Sequence, residues 1–460
     1  MVIYAENRSF DNLYGLFPGA NGIAQATPAS WTQTDHNGQA LPRLPKVSND
    51  KEALFAALMP NRPFRIDEAP FNLALQRKTP DLVHRYYQNI EQINGGQLDR
   101  YAAMSNAGGL VMGYYDGAKL PMWDYARKFV LADNFFMAAF GGSFLNHFWL
   151  ICACTPHFPD APDSLKVQLA ADGKLRRRSD SPASALDGPP KLYDGELTPD
   201  GYAVNSMQPS FQPSGIAPAA AGDPRYADPA GHPLPPQRFR TIGDTLSARG
   251  ISWAWYAGAW QAAQADGAHP APKRAVIYAR KAGAPSLEVH HQPFNYFARF
   301  APGSPDREKH LLDASQLYSA IAAGNLPQVA FYKPESSLNE HPGYADVLAG
   351  DAHLAQLVAQ LQASRLWLKM AIIVTYDENG GFWDHVAPPT GAGWSDRWGP
   401  GTRVPLLIIS PYAKMSSIDS TPYDTTSILK FISRRFGLEP LPGVRQNVGD
   451  LTNAFDFGRH

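Results

Sequence analysis

Cysteine is almost missing from this chain: two occur among 460 residues, Cys152 and Cys154, one position apart. So few exclude a disulfide framework, and no second pair exists to hold zinc. A one-residue gap is also too short for an easy bridge, so both are expected as buried small apolar residues. Long hydrophobic runs are missing as well, and none approaches the ~20 residues that a bilayer-spanning helix needs. Charge is sparse: 18% of residues are charged and the net charge is -1. A balance of that kind excludes a nucleic-acid scaffold. The one basic cluster, Lys174-Leu175-Arg176-Arg177-Arg178, is local and reads as a solvated loop. No repeat period is visible. No GxSxG elbow occurs, so nothing points to acyl transfer. A secretory leader is missing too. The chain starts inside a strand-like run, which points to a processed or truncated N-terminus with an added Met1.

What is present is an alternation of strands and helices. Val2-Ile3-Tyr4 is β-branched and aromatic, the mark of a buried strand. Leu354, Leu357, Val358 and Leu361 recur at helical spacing up to Arg365, and MAIIVTYDENGG then reads as a buried strand broken by Gly380-Gly381. RVPLLIISP is a further strand, stopped by Pro411. DTTSILKFISRRFG is an amphipathic helix capped by Asp424 or Thr425 and ended by Gly437. TIGDTLSARG followed by ISWAWYAG repeats the unit, and LPQVAFYKP adds a strand. Such alternation predicts an α/β fold with a mostly parallel central sheet flanked by helices. Trp253, Trp255, Tyr256 and Trp260 are expected in its core. Residues 155–238 differ: they hold about a third of the 41 prolines and few apolar runs. That composition cannot build a core, so a Pro-rich surface insertion or cap is expected there.

Three segments place polar groups at the ends of apolar runs: Glu6-Asn7, FGGSFLNH around Ser143, and Asp377-Glu378. Each has a plain alternative, since Glu6-Asn7 fits a turn cap and Ser143 a helix N-cap. Taken together, three carboxylates, an amide and a hydroxyl form a hard, oxygen-rich set suited to one divalent cation. A hydroxyl at a helix N-terminus beside such an ion is placed for attack on phosphorus, where positioning and charge neutralisation dominate.

IYAENRSFDNLYG, FGGSFLNH, HHQPFNYF, NEHPGYADVLAGD, VTYDENGGFWDHVAPP and RVPLLIISPYAK, in this order, resemble the bacterial phosphoesterase family of acid phosphatases and phospholipases C. The resemblance runs on to NVGDLTNAFDF, nearly the whole chain. It implies an α/β sandwich similar to alkaline phosphatase, a single catalytic domain over residues 1–460, and a periplasmic or secreted location. It further implies that Ser143 is the nucleophile, forming a phosphoserine, and that Glu6, Asn7, Ser143, Asp377 and Glu378 hold the metal. His84, His290 or His291, and His341 line the phosphate pocket in this reading. His341 is preferred as general acid, with His84 and the 290/291 pair left open. Asn146 is expected to donate to the phosphate, whereas Asp384 and His385 are left open between supporting the ligands from behind and a purely structural role.

Within the family, Asp424-Thr425-Thr426-Ser427 stands where many phospholipases C resemble DHTS. The chain also ends after the catalytic core. Both features lead to the expectation of an acid phosphatase acting on small phosphomonoesters, with phospholipase C as the alternative.

Overall fold

The computed structural model of the chain describes residues 1–281 and 283–459. Its apolar runs become one eight-stranded sheet: β1 (Val2–Ala5), β2 (Val130–Ala132), β3 (Trp253–Ala257), β4 (Leu311–Asp313), β5 (Val329–Lys333), β6 (Ile372–Tyr376), β7 (Leu406–Ile409) and β8 (Ser417–Asp419). Side by side they lie in the order β8-β2-β7-β6-β1-β5-β3-β4. β1 pairs in parallel with both β5 and β6, and β3 in parallel with β5 and β4. Among the described strands of this sheet β7 alone runs against its neighbours, β6 and β2. The sheet is therefore mostly parallel, as the alternation predicts. Its central strands β1, β5 and β6 are buried at every position. Covering on both faces explains why they read as continuous apolar runs rather than alternating ones.

Four helices matter for the site: α1 (Ser143–Cys152), α2 (Ile242–Ala248), α3 (Val347–Ala363) and α4 (Thr425–Phe436). In α3 the residues at helical spacing, Leu354, Leu357, Val358 and Leu361, are all buried. Each such side chain contributes about 2 kcal/mol of apolar burial. The cap of α4 is Asp424, whose side chain accepts from the Thr426 amide, and Gly437 closes the helix in the left-handed region. α2 is opened by a Thr241–Asp244 capping box. Trp253, Trp255, Tyr256 and Trp260 are buried as expected.

The cysteines overturn their expectation. Cys152 and Cys154 form a disulfide, with Cα atoms 5.1 Å apart. The reason is the backbone between them. Ala153 ends α1 in the left-handed region, at φ 46° and ψ 46°, which turns Cys154 back beside Cys152. Spacing along an extended chain missed that turn.

Residues 155–238 contain short 3-10 turns and isolated bridges, with no α-helix and no strand of the sheet. Ion pairs fasten this segment to the body, Asp194 to Arg85 at 2.5 Å and Asp200 to Arg397 at 2.6 Å. Asn205 accepts from the Tyr86 amide at 3.1 Å, which brings residues 204–206 to the rim of the cleft described next.

Candidate active site

Three neighbouring parallel strands end in the same direction, and their tips carry the chemistry. The register sets Ala5 of β1 opposite Tyr376 of β6. Glu6 and Asn7 therefore emerge beside Asp377 and Glu378, with Lys333, the last residue of β5, next to them. Asn7 sits at φ 64°, a left-handed conformation that asparagine tolerates better than most residues. Its amide N–H donates to Asp377 Oδ1 at 3.2 Å. Gly380 must be glycine here. It has φ 64°, and a Cβ on it would stand 2.3 Å from the Asn7 carbonyl oxygen.

Ser143 opens α1, but it is not the capping residue. Gly142 holds that position, with no side chain to satisfy the first turn. The hydroxyl is thus left for other partners, and Ser143 Oγ lies 3.2 Å from Asn7 Oδ1 and 3.4 Å from Glu378 Oε1. The preceding turn is tight by necessity: a Cβ on Gly142 would come within 2.7 Å of the His84 carbonyl oxygen. Asn146, expected as a phosphate donor, is used differently. Its amide donates to the carbonyls of Ala139 and Gly142 at 3.1 and 3.2 Å, and its Oδ1 accepts from Ala139 N at 2.9 Å. It braces the turn that presents Ser143.

Glu6, Asp377, Glu378 and Lys333 are all fully buried. Glu6 faces away from the serine toward His291, with Oε1 2.5 Å from His291 Nε2 and 3.1 Å from Lys333 Nζ. Its other oxygen accepts from Asn339 and from the Tyr344 hydroxyl. Asp377 reaches Lys333 Nζ at 3.5 Å through Oδ2 and accepts from the Glu378 amide at 2.8 Å through Oδ1. Burial pushes Glu6 up, but the charges of His291 and Lys333 outweigh it and hold the carboxyl well below the usual range. Burial, and then the Asp377 charge, push Glu378 well above that range. Asp377 is raised too, by burial against the pull of Lys333.

Three carboxyl groups crowd one lysine in this buried space, and the raised pKa values of Asp377 and Glu378 reflect the shortage of positive charge beside them. With the oxygens of Asn7 and Ser143 beside them, they fit a divalent cation. The expected ligands do not all share one contact shell. Ser143 reaches both Asn7 and Glu378, Asp377 joins them through backbone amides and the Ser143 hydroxyl, and Glu6 stands across Lys333.

The histidines sit around the serine. His84 places Nδ1 2.5 Å from the Leu82 carbonyl oxygen, which leaves Nε2 facing Asn7 Nδ2 at 3.5 Å and Glu378 Oε1 at 3.9 Å. His341 packs edge-on to His84, with ring centroids 5.4 Å apart, and stacks on Tyr344. Burial lowers its pKa. His290 approaches Glu6 Oε1 at 3.8 Å, and burial pushes His291 down to about 3. Ser143, His84, His290 and His341 line one cleft of about 500 Å³, with Arg280 and Tyr344 on its wall.

Asp384 and His385 lie elsewhere. Asp384 pairs with Arg403 at 2.8 Å and His385 with Asp11 at 2.7 Å. Arg403 also reaches Asp11 at 3.2 Å, so these side chains form a buried network of their own. Two site residues were missed from the sequence. Lys333 carried the same signal as the carboxylates, a charge closing the apolar run VAFYK. His147 sits one helical turn after Ser143, with Nδ1 2.7 Å from the Ser143 carbonyl oxygen and 3.8 Å from Asp377 Oδ2.

Parallel strand tips that bring buried acids to a serine at a helix N-terminus fit the chemistry of a phosphoric ester hydrolase. The Phosphoesterase family model matches residues 1–439, and the chain belongs to that family. Phospholipase C A of Mycobacterium tuberculosis is 26% identical over 493 residues, covering 99% of this chain and 76% of the relative. The non-hemolytic phospholipase C of Burkholderia pseudomallei is 24% identical over 99% of this chain and 58% of its own length. A solved structure from Vibrio parahaemolyticus, described as a protein in the alkaline phosphatase superfamily, aligns over 84% of this chain and 75% of that one. Its TM-score is 0.34 and its sequence identity 10%.

Proposed function

We propose that the chain hydrolyses phosphoesters through Ser143, and that its substrate is a phospholipid-type phosphodiester cleaved in the phospholipase C sense. The observation that carries the chemistry is Ser143 Oγ on the floor of a histidine-lined cleft, 3.2 Å from Asn7 Oδ1 and 3.4 Å from Glu378 Oε1. Asn7, Ser143, Asp377 and Glu378 would hold a divalent ion, which would supply charge to lower the cost of the serine alkoxide and to offset that of the phosphoryl group. Ser143 Oγ bonds to phosphorus as the ester oxygen leaves, and a cleft histidine, His341 or His84, gives that oxygen its proton. The amides at the start of α1 stabilise the oxygens of the transferring group. Water then cleaves the phosphoserine, and the histidine takes back a proton.

The lipid reading draws on the phospholipases C that match 99% of the chain. The motif that pointed to phosphomonoesters, Asp424-Thr425-Thr426-Ser427, is occupied structurally. Asp424 caps α4 and pairs with Arg445 at 2.6 Å, and Thr425 Oγ1 accepts from Ala138 N. One observation favours the second reading, an acid phosphatase. The Arg280 guanidinium lies 4.3 Å from the centre of the Tyr344 ring, so it covers the aromatic face that a choline ammonium would use. A periplasmic or secreted setting belongs to the same proposal, and the Cys152–Cys154 bridge supports an oxidising compartment. Rates on phosphatidylcholine and on p-nitrophenyl phosphate, measured side by side, test the substrate. A preference for the monoester of tenfold or more overturns the lipid assignment.

A further inference from the structure

We infer that Lys333 takes the place of a second cation: its ammonium, fixed between the Glu6 and Asp377 carboxylates, limits the site to one divalent ion. The inference rests on the reading that the Ser143 side of the cluster binds an ion.

The seat of the ammonium is built from several directions. Lys333 Nζ lies 3.1 Å from Glu6 Oε1, 3.5 Å from Asp377 Oδ2 and 3.3 Å from the Ala5 carbonyl oxygen. It also stands 5.3 Å from the centre of the Tyr4 ring. The lysine and both carboxylates are fully buried, so neither water nor mobile salt does this work. Imidazole nitrogens stand beside the same two carboxylates, although His147 Nδ1 also faces the Ser143 carbonyl oxygen at 2.7 Å. His291 Nε2 is 2.5 Å from Glu6 Oε1, and His147 Nδ1 is 3.8 Å from Asp377 Oδ2. Glu6, His147 and Asp377 each offer a ligand atom within 4.8 Å of the others. Carboxylates and imidazoles are ligands that zinc accepts, and Glu6 belongs both to this group and to a second one with His290 and His291. In this chain the Lys333 ammonium sits against the two carboxylates of these groups, Glu6 and Asp377.

Lys333 is therefore a positioning residue. It keeps two like charges together without metal, and it leaves the oxygen-rich side of this cluster, at Asn7, Ser143, Glu378 and the Oδ1 side of Asp377, for the ion. Buried like charges repel strongly in a medium of low polarity, so removing the ammonium creates a demand for another cation at the same point.

Counting ions tests this directly. Wild-type protein and Lys333→Met are equilibrated with Zn²⁺, freed of excess by gel filtration, and weighed by native mass spectrometry. The expected result is one ion per wild-type chain and two per Lys333→Met chain. Two ions in the wild type, or one in a folded Lys333→Met, overturns the role of Lys333. If Lys333→Met does not fold, the wild-type count decides: one ion supports the inference and two sinks it. A phosphoester assay on the same samples separates the failures. Two ions with normal turnover sinks the lysine's role alone, whereas no bound ion and no turnover sinks the metal reading of the site as well.

Discussion

Ser143 Oγ and Asn7 Oδ1 lie 3.2 Å apart although 136 positions separate them in the chain. One comes from a helix N-terminus and the other from the tip of β1, so the contact exists only when α1 is packed against the centre of the sheet. The proposed chemistry begins at this pair.

Ser143→Ala is expected to lower kcat by at least about a thousandfold, because no other group would take over bond formation to phosphorus. The far-ultraviolet circular dichroism spectrum should match wild type, since the hydroxyl caps nothing. A variant retaining a tenth of the wild-type rate would place the nucleophile elsewhere.

Gly380→Ala tests the left-handed turn behind Asn7. The added methyl would stand 2.3 Å from the Asn7 carbonyl oxygen, so Asn7 must move and take its side chain off Ser143. Turnover should fall by about tenfold to a hundredfold, the cost of misplacing a catalytic contact by about 1 Å. Alanine at Gly173, which has open space around it, is the control. Equal loss in both variants would mean that backbone conformation alone is responsible.

Asn146→Ala separates bracing from phosphate binding. The buried N–H and carbonyl of Ala139 would lose their partner, while the Gly142 carbonyl keeps the Asn146 backbone N–H, at a cost of about 1–3 kcal/mol in stability. A bracing role predicts a lower melting temperature with little change in inhibition by inorganic phosphate. If inhibition weakens tenfold while stability holds, the amide points to substrate after all.

His385 should make stability depend on pH. Burial works to lower its pKa, but the hydrogen bond and charge of Asp11 outweigh it and raise the ring above its ordinary value. A raised value in the folded state contributes stability in full below the unfolded histidine pKa of about 6.5, and the contribution is lost as pH rises through the raised value. Between pH 6 and pH 8.5 the wild type is expected to lose about 2 °C more in Tm than His385→Asn. Parallel curves for the two proteins would show that the ring does not titrate in that window.

Local chemistry made much of this legible. Val2-Ile3-Tyr4 and IIVTY are strands because β-branched and aromatic side chains pack on a covered sheet, and α3 follows from its apolar spacing. Glu6, Asn7, Asp377 and Glu378 stood out because polar and acidic groups that close an apolar run have no local partner to justify them. Lys333 obeys the same rule and was overlooked because a lysine before a proline also passes for an ordinary strand end.

The sequence by itself determined which residues form strands and helices and which strand tips carry charge, since those depend on neighbours within a few positions. Only the tertiary structure decided that β5, β1 and β6 lie side by side, that Glu6 turns to Lys333 and His291 rather than to the serine, and that Asn146 braces a turn. It also decided that Asp384 and His385 join Arg403 and Asp11, and that Ala153 folds the two cysteines together. Strand order and side-chain direction come from how distant segments share one core and neutralise one another's buried charge, and no local spacing encodes that.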